Sequence, residues 1–182
     1  MAEVILITGG ARSGKSAEAL RLTDGFARRV FIATAEAFDE EMRQRIERHQ
    51  AERGNEWETV EEPLDLAGAV RRMDDPQSAV VIDCLTVWLG NLMHRDANTA
   101  EDAPSCAELV DALRRSCAGR VIVVTNEVGM GIVPEHALSR RYRDVAGRLN
   151  QRVAAIADRV ILMVSGQPLV VKPAGRAEGD HV

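Results

Sequence analysis

Aromatic side chains are scarce in this chain: two Trp, one Tyr and three Phe make up 3% of 182 residues. So few rings leave no series of stacking platforms for unpaired bases. Cationic runs are missing too. No stretch holds five consecutive basic residues, and 23 Lys and Arg against 28 Asp and Glu give a formal charge of -5. That balance removes the electrostatic basis for sequence-independent binding to a nucleic-acid backbone. No apolar run approaches the ~18 residues of a membrane helix, and Met1-Ala2-Glu3 passes directly into an apolar strand without a basic, then apolar, leader. The expectation is a soluble, cytoplasmic protein with no membrane insertion and no nucleic-acid partner. Cysteine is limited to Cys84, Cys106 and Cys117. An odd number without C-x-x-C spacing suits reduced thiols in a cytosolic core better than disulfides or a zinc site. Internal repeats are absent as well. With 46% hydrophobic residues, the chain can bury one sizeable core, so residues 1–172 are expected to form a single domain and 173–182 a disordered tail.

What is present is concentrated near the start. Gly9-Gly10-Ala11-Arg12-Ser13-Gly14-Lys15-Ser16 satisfies G-x-x-x-x-G-K-[ST], between the apolar run Val4 to Thr8 and a helix-forming segment from Ala17 to Leu22. The glycines let successive N–H groups face phosphate oxygens, and the following helix adds the positive end of its dipole. In such a loop Lys15 reaches the β- and γ-phosphates, and Ser16 holds Mg²⁺ through its hydroxyl.

The rest alternates strand and helix. Val30 to Ala33, Trp57 to Val60, Ala79 to Asp83, Val121 to Thr125 and Val160 to Val164 read as short apolar strands, continuous because both faces are covered. Helices are expected at Phe38 to Arg53, from Pro63 through Met73, at Leu85 to Met93 and at Glu108 to Ser116, with a polar loop from Arg95 to Ser105 between the last two. Leu138, Tyr142, Val145, Leu149, Val153 and Ile156 recur at steps of three and four and predict one long helix lying on the sheet, while Arg141, Arg143, Arg148 and Arg152 read as a solvated surface. Gly166-Gln167-Pro168 is a turn into a last strand, Leu169 to Val171, and a connection that short permits only an antiparallel hairpin at the edge. The fold class is therefore α/β: a P-loop NTPase-type three-layer sandwich, mostly parallel, with an antiparallel C-terminal edge strand and ligands at the carboxyl ends of the strands.

That rule singles out Asp83, which ends its strand in a carboxylate. It either holds Mg²⁺ with Ser16 or caps the helix beginning at Leu85. Glu127 also sits at a strand end, where it could orient a substrate hydroxyl. Two glycines in the apolar segment Val128 to Glu135 suggest close packing beside a ligand. His49 has Arg45 four residues before and Arg53 four after, on one helical face. The guanidiniums make an anion-binding strip and disfavour protonation of the imidazole, whose neutral nitrogen can attack phosphorus. A lone His between arginines is also an ordinary surface residue.

The P-loop, Arg45-Ile46 followed by His49, the segment Thr125-Asn-Glu-Val-Gly-Met-Gly-Ile-Val-Pro-Glu135 and the run Arg141 to Arg152 together resemble the adenosylcobinamide kinase / adenosylcobinamide-phosphate guanylyltransferase family of cobalamin biosynthesis, from Val4 to about Lys172. The resemblance implies that His49 is the nucleophile that takes up GMP, that Gln50, Ala51, Glu52 and Arg53 help bind GTP, and that Ala33, Thr34, Ala35, Glu61 and Asp83 are further nucleotide-contacting positions. It also implies a homotrimer acting on adenosylcobinamide and adenosylcobinamide phosphate, with ATP or GTP and Mg²⁺. Where family members can carry Glu, this chain has the shorter Asp83, and residue 48, where a second His is expected in some relatives, is Arg.

The rival readings are fewer. A GTP switch needs guanine readout of the N-K-x-D kind, and Thr125-Asn126-Glu127-Val128 lacks the Lys and Asp. A small-molecule kinase accounts for everything except His49 and its arginines.

Overall fold

The computed structural model describes residues 1–36, 40, 43–44, 54, 56–96 and 103–174. One seven-stranded sheet runs through them: β1 (Glu3–Gly9), β2 (Arg28–Ala33), β3 (Trp57–Glu61), β4 (Ser78–Asp83), β5 (Arg120–Val124), β6 (Arg159–Val164) and β7 (Gln167–Lys172). Their spatial order is β3-β2-β4-β5-β1-β6-β7. All neighbours pair in parallel except β6 and β7, as the short final turn required. The five described helices are α1 (Lys15–Arg21), α2 (Leu66–Arg72), α3 (Leu85–Arg95), α4 (Pro104–Arg115) and α5 (Ala137–Ile156).

The two-residue period of the strands divides the core in two. Val4, Leu6, Val30, Ile32, Val80, Ile82, Val121 and Val123 face one side, against buried side chains of α2, α3, α4 and α5. Ile5, Ile7, Phe31, Val81, Ile122, Val124 and Ile161 face the other, where Ala19 and Leu22 of the α1 region cover them. Because β1, β4 and β5 lie between layers, nearly every residue in them is buried, which is why they read as unbroken apolar runs.

Helix α1 begins at Lys15, as expected, with Gly14 in a left-handed conformation as its N-cap. Several other boundaries differ from the sequence expectation, each for a local reason. Helix α2 begins at Leu66, not Pro63, because the Asp65 carboxylate accepts from the Gly68 N–H and fixes the start there. Helix α4 begins at Pro104, four residues before the expected Glu108, with proline in the first turn, where its missing N–H costs nothing. The β6–β7 turn is Ser165-Gly166, both with positive φ, so Gln167 and Pro168 belong to the edge strand. The long stripe of α5 holds for Val145, Leu149 and Val153, but Leu138 is 55% exposed in a first turn whose residues 137–140 are all exposed. Arg141, Arg143 and Arg152 are half-buried rather than solvated, and Arg148 is exposed. Cys84 and Cys106 lie in the core as free thiols, whereas Cys117 is exposed. Most of the expected helix Phe38 to Arg53, most of the loop before Pro104 and nearly all of the tail lie outside the described residues; residues 40, 43 and 44 of that stretch are helical. Among the described residues no helix is long and apolar enough to cross a membrane.

Candidate functional site

The carboxyl end of β1 turns into the P-loop under tight steric control. Gly9 has φ 148°, Gly14 φ 95° and Arg12 φ 55°, conformations that favour glycine at the first two positions. A Cβ on Gly9 would stand 2.5 Å from the carbonyl oxygen of Met163 in β6. The turn after β6 also braces the loop, because the Gly166 N–H donates to the Ser13 carbonyl at 3.0 Å. Nothing in the phosphate-loop pattern signals that brace.

Within this frame Lys15 is 7% exposed. Its Nζ donates to the Gly10 carbonyl and, at 3.4 Å, to Ser13 Oγ. Burial lowers the Lys15 pKa, and the negative charge of Asp83 pulls it partly back. A desolvated ammonium whose partners are mostly neutral oxygens is well suited to take a phosphate anion.

The expected metal partners converge. Ser16 Oγ donates to Asp83 Oδ2 at 2.8 Å, and helix α3 takes Cys84 as N-cap without a side-chain cap bond. Asp83 therefore leaves the capping role and faces the P-loop. A hydroxyl and a carboxylate at this spacing fit Mg²⁺, which commonly takes one or two protein oxygens and fills its octahedron with water and phosphate oxygens. Across the sheet, Ala33 is in register with both Glu61 on β3 and Asp83 on β4, so these three positions share one carboxyl edge. Thr34 is fully buried and turned inward: its Oγ1 donates toward the carbonyl of Cys84 at 2.9 Å and accepts from the Cys84 N–H at 2.8 Å. It sets the backbone after Asp83. Ala35 beside it is half-buried, and of the loop residues Gly10, Ala11 and Arg12 are exposed.

A polar network behind this edge was not legible as such. Asn126 Nδ2 donates to Thr86 Oγ1 at 2.7 Å, Tyr142 Oη donates to the Thr86 carbonyl at 2.8 Å, and Thr125 Oγ1 donates to Asn150 Oδ1 at 2.8 Å. Asn91 Nδ2 donates to the Thr34 carbonyl at 2.7 Å. The network ties β5, α3 and α5 to the chain end of β2. Its signal in the sequence was amide side chains, Asn91 and Asn150, at otherwise apolar helical positions; Tyr142 was read only as part of an apolar stripe. Burial pushes the Tyr142 phenol up to about 12 and raises the Cys84 thiol above its ordinary value, so neither group is an ionised nucleophile near neutral pH.

Glu127 is half-buried three residues beyond the end of β5, its N–H donating to the Gly9 carbonyl at 3.0 Å. The segment after it is apolar and exposed in the free chain. Met130, Ile132 and Val133 are 78%, 96% and 58% exposed, and no atom lies within 4 Å of a Cβ built on Gly131. Within the chain only Val128 at its root packs against the core, while the middle stands free of it. Arg45, His49, Gln50, Ala51, Glu52 and Arg53 lie outside the described residues.

Comparison with known proteins converges on one family. The profile described as "Cobinamide kinase / cobinamide phosphate guanyltransferase" (CobU) matches residues 5–171. The bifunctional adenosylcobalamin biosynthesis protein CobU of Escherichia coli (strain K12) is 40% identical over 181 residues, covering 93% of this chain and 99% of that protein. The bifunctional adenosylcobalamin biosynthesis protein CobP of Pseudomonas aeruginosa is 46% identical over 169 residues, covering 92% and 96%. Among solved structures, an ATPase from the type III secretion system of pathogenic bacteria aligns with TM-score 0.54 at 12% identity, over 88% of this chain and 50% of that one. A Pyrococcus horikoshii OT3 protein aligns with TM-score 0.53 at 7% identity, over 96% and 88%. At such identities these two structures speak to the fold alone.

Proposed function

The chain belongs to the cobinamide kinase / cobinamide phosphate guanyltransferase family, and from that premise we propose that it carries out both reactions, phosphorylating adenosylcobinamide with ATP or GTP and then transferring GMP from GTP to adenosylcobinamide phosphate. The observation that carries this reading is the meeting of a buried Lys15, Ser16 and Asp83 at the mouth of the P-loop. It supports a bound nucleoside triphosphate whose phosphates lie against the backbone N–H groups of residues 9–16. Ala33, Thr34, Ala35 and Glu61 shape the neighbouring edge, Thr34 through the backbone it fixes. Mg²⁺, held by Ser16 and Asp83, would neutralise charge developing on the phosphate oxygens.

In the kinase step the aminopropanol hydroxyl of the corrinoid attacks the γ-phosphorus, its proton leaves, and the bond to the β-phosphate oxygen breaks. Lys15 follows the charge onto the leaving diphosphate. In the guanylyl step an imidazole nitrogen of His49 attacks the α-phosphorus of GTP and pyrophosphate departs with the bonding pair. A phosphate oxygen of adenosylcobinamide phosphate then attacks the same phosphorus, the P–N bond breaks, and its electron pair returns to the ring, giving adenosylcobinamide-GDP. Gln50, Ala51, Glu52 and Arg53 stand beside the nucleophile in sequence and would help hold the GTP. Glu127, at the root of the segment after β5, is suited to orient the attacking hydroxyl.

Incubation with α-labelled GTP tests this. The expected result is acid-labile, alkali-stable label on the wild-type protein and none on His49→Ala, with cobinamide phosphorylation retained by the variant. A protein that turns over cobinamide without ever taking label is a kinase alone.

The proposal extends to a cytoplasmic homotrimer. Val164, Leu169, Val170 and Val171 at the β6–β7 edge are 48–59% exposed, an apolar flank that another subunit would cover. Sedimentation should return the mass of three chains.

A further inference from the structure

The segment 128–135 is fixed at both ends and apolar in the middle. At its root the Glu127 N–H is bonded to the Gly9 carbonyl, and Val128 packs with Leu89, Met93, Val145 and Ala146. At its far end Arg140 reaches back with Nη1 to the carbonyls of Pro134, at 3.0 Å, and Glu135. Between these anchors Met130, Ile132 and Val133 stand out into solvent, Ile132 at 96% exposure. Large apolar side chains held outward on a pinned loop bury nothing within the subunit, so the contact that justifies them lies outside it.

Two observations select the occupant. The root of the segment is bonded to the first glycine of the P-loop, so the segment starts out from beside the phosphate site. The proposed acceptor is a corrinoid, whose macrocycle offers a broad apolar face that no residue of a nucleotide site is shaped to cover. We infer that Met130, Ile132 and Val133 form the platform on which the corrin ring of the acceptor rests while its aminopropanol arm reaches over Gly9 to the triphosphate. The inference rests on the proposed kinase reading and adds to it the residues that hold the acceptor. The flank of β7 supplies a separate apolar surface for a second copy of this chain.

The test replaces the tip with small polar groups, as Ile132→Ser alone and as Met130→Ser/Ile132→Ser/Val133→Thr together. Cobinamide binding is followed by equilibrium dialysis using the absorbance of the corrin ring, the kinase KM is measured for cobinamide and for ATP, and the mass is read by sedimentation. Loss of two or three buried apolar contacts should raise the cobinamide Kd and KM by about tenfold or more, leaving the KM for ATP and the mass unchanged. Unchanged cobinamide affinity overturns the inference. A fall in mass that parallels the loss of affinity also overturns it, because the tip then belongs to a contact between copies. Wild-type protein that leaves cobinamide unphosphorylated overturns the functional reading itself, an outcome visible before any variant is made.

Discussion

Ser16 Oγ donates to Asp83 Oδ2 across 2.8 Å, joining the last residue of the P-loop to the last residue of β4. The pair is 67 residues apart in sequence and is brought together because β5 alone separates β1 from β4. An amide at position 83 keeps the size and can still accept from Ser16, but it gives up the charge that a divalent cation needs. Asp83→Asn should therefore fold normally while the Mg²⁺ concentration required for half-maximal turnover rises by roughly 10–100-fold. A magnesium titration at saturating nucleotide measures it, and an unshifted midpoint would remove Asp83 from the metal site.

Gly9 is constrained by more than its φ of 148°. Its missing Cβ leaves room for the Met163 carbonyl, with which it is in register across β1 and β6. Gly9→Ala has to push two central strands apart, and a loss of about 1–3 kcal/mol is expected. Denaturant unfolding checks this. A variant as stable as wild type but weak for nucleotide would show the glycine serving only phosphate approach.

Thr34 gives a contrasting expectation. Thr34→Val keeps the shape and removes the oxygen that accepts from the Cys84 N–H, leaving a buried donor without its partner at a cost of about 1–3 kcal/mol. Thr34→Ser should restore most of it. If Thr34→Val were fully stable and instead lost nucleotide affinity, the hydroxyl would be a ligand contact rather than a support for Asp83.

Tyr142 is the only tyrosine in the chain, so tyrosinate absorbance reports on it alone. Burial, then the nearby Cys84, pushes its pKa up to about 12, against roughly 10 in the unfolded chain. Between those values the unfolded state has released the proton and the native state has not. Stability from this group is complete below pH ~10 and declines as pH rises toward ~12. Unfolding midpoints followed across that window should fall more steeply for wild type than for Tyr142→Phe, and native tyrosinate appearing near pH ~10 would contradict the assignment.

The strands were legible because β1, β4 and β5 are covered on both sides and spell themselves as apolar runs. The P-loop was legible because Gly9, Gly14, Lys15 and Ser16 have chemical duties at fixed spacing. Helix starts were less so: Asp65 and Pro104 are ordinary start signals, but each competes with a neighbouring one, Pro63 and Glu108, and tertiary packing chooses. What sequence could not give was lateral contact. That Gly166 braces Ser13, that Tyr142 bonds to Thr86, and that Met130 and Ile132 are left exposed all depend on which elements are neighbours in space, and local periodicity carries no such information.

The bond from the Glu127 N–H to the Gly9 carbonyl has a further consequence. It is made by main chain at both ends, so the offset between the support of the donor nucleotide and the support of whatever lies along residues 128–135 is independent of side-chain rotamers. Replacing side chains on either loop leaves that spacing to the main chain.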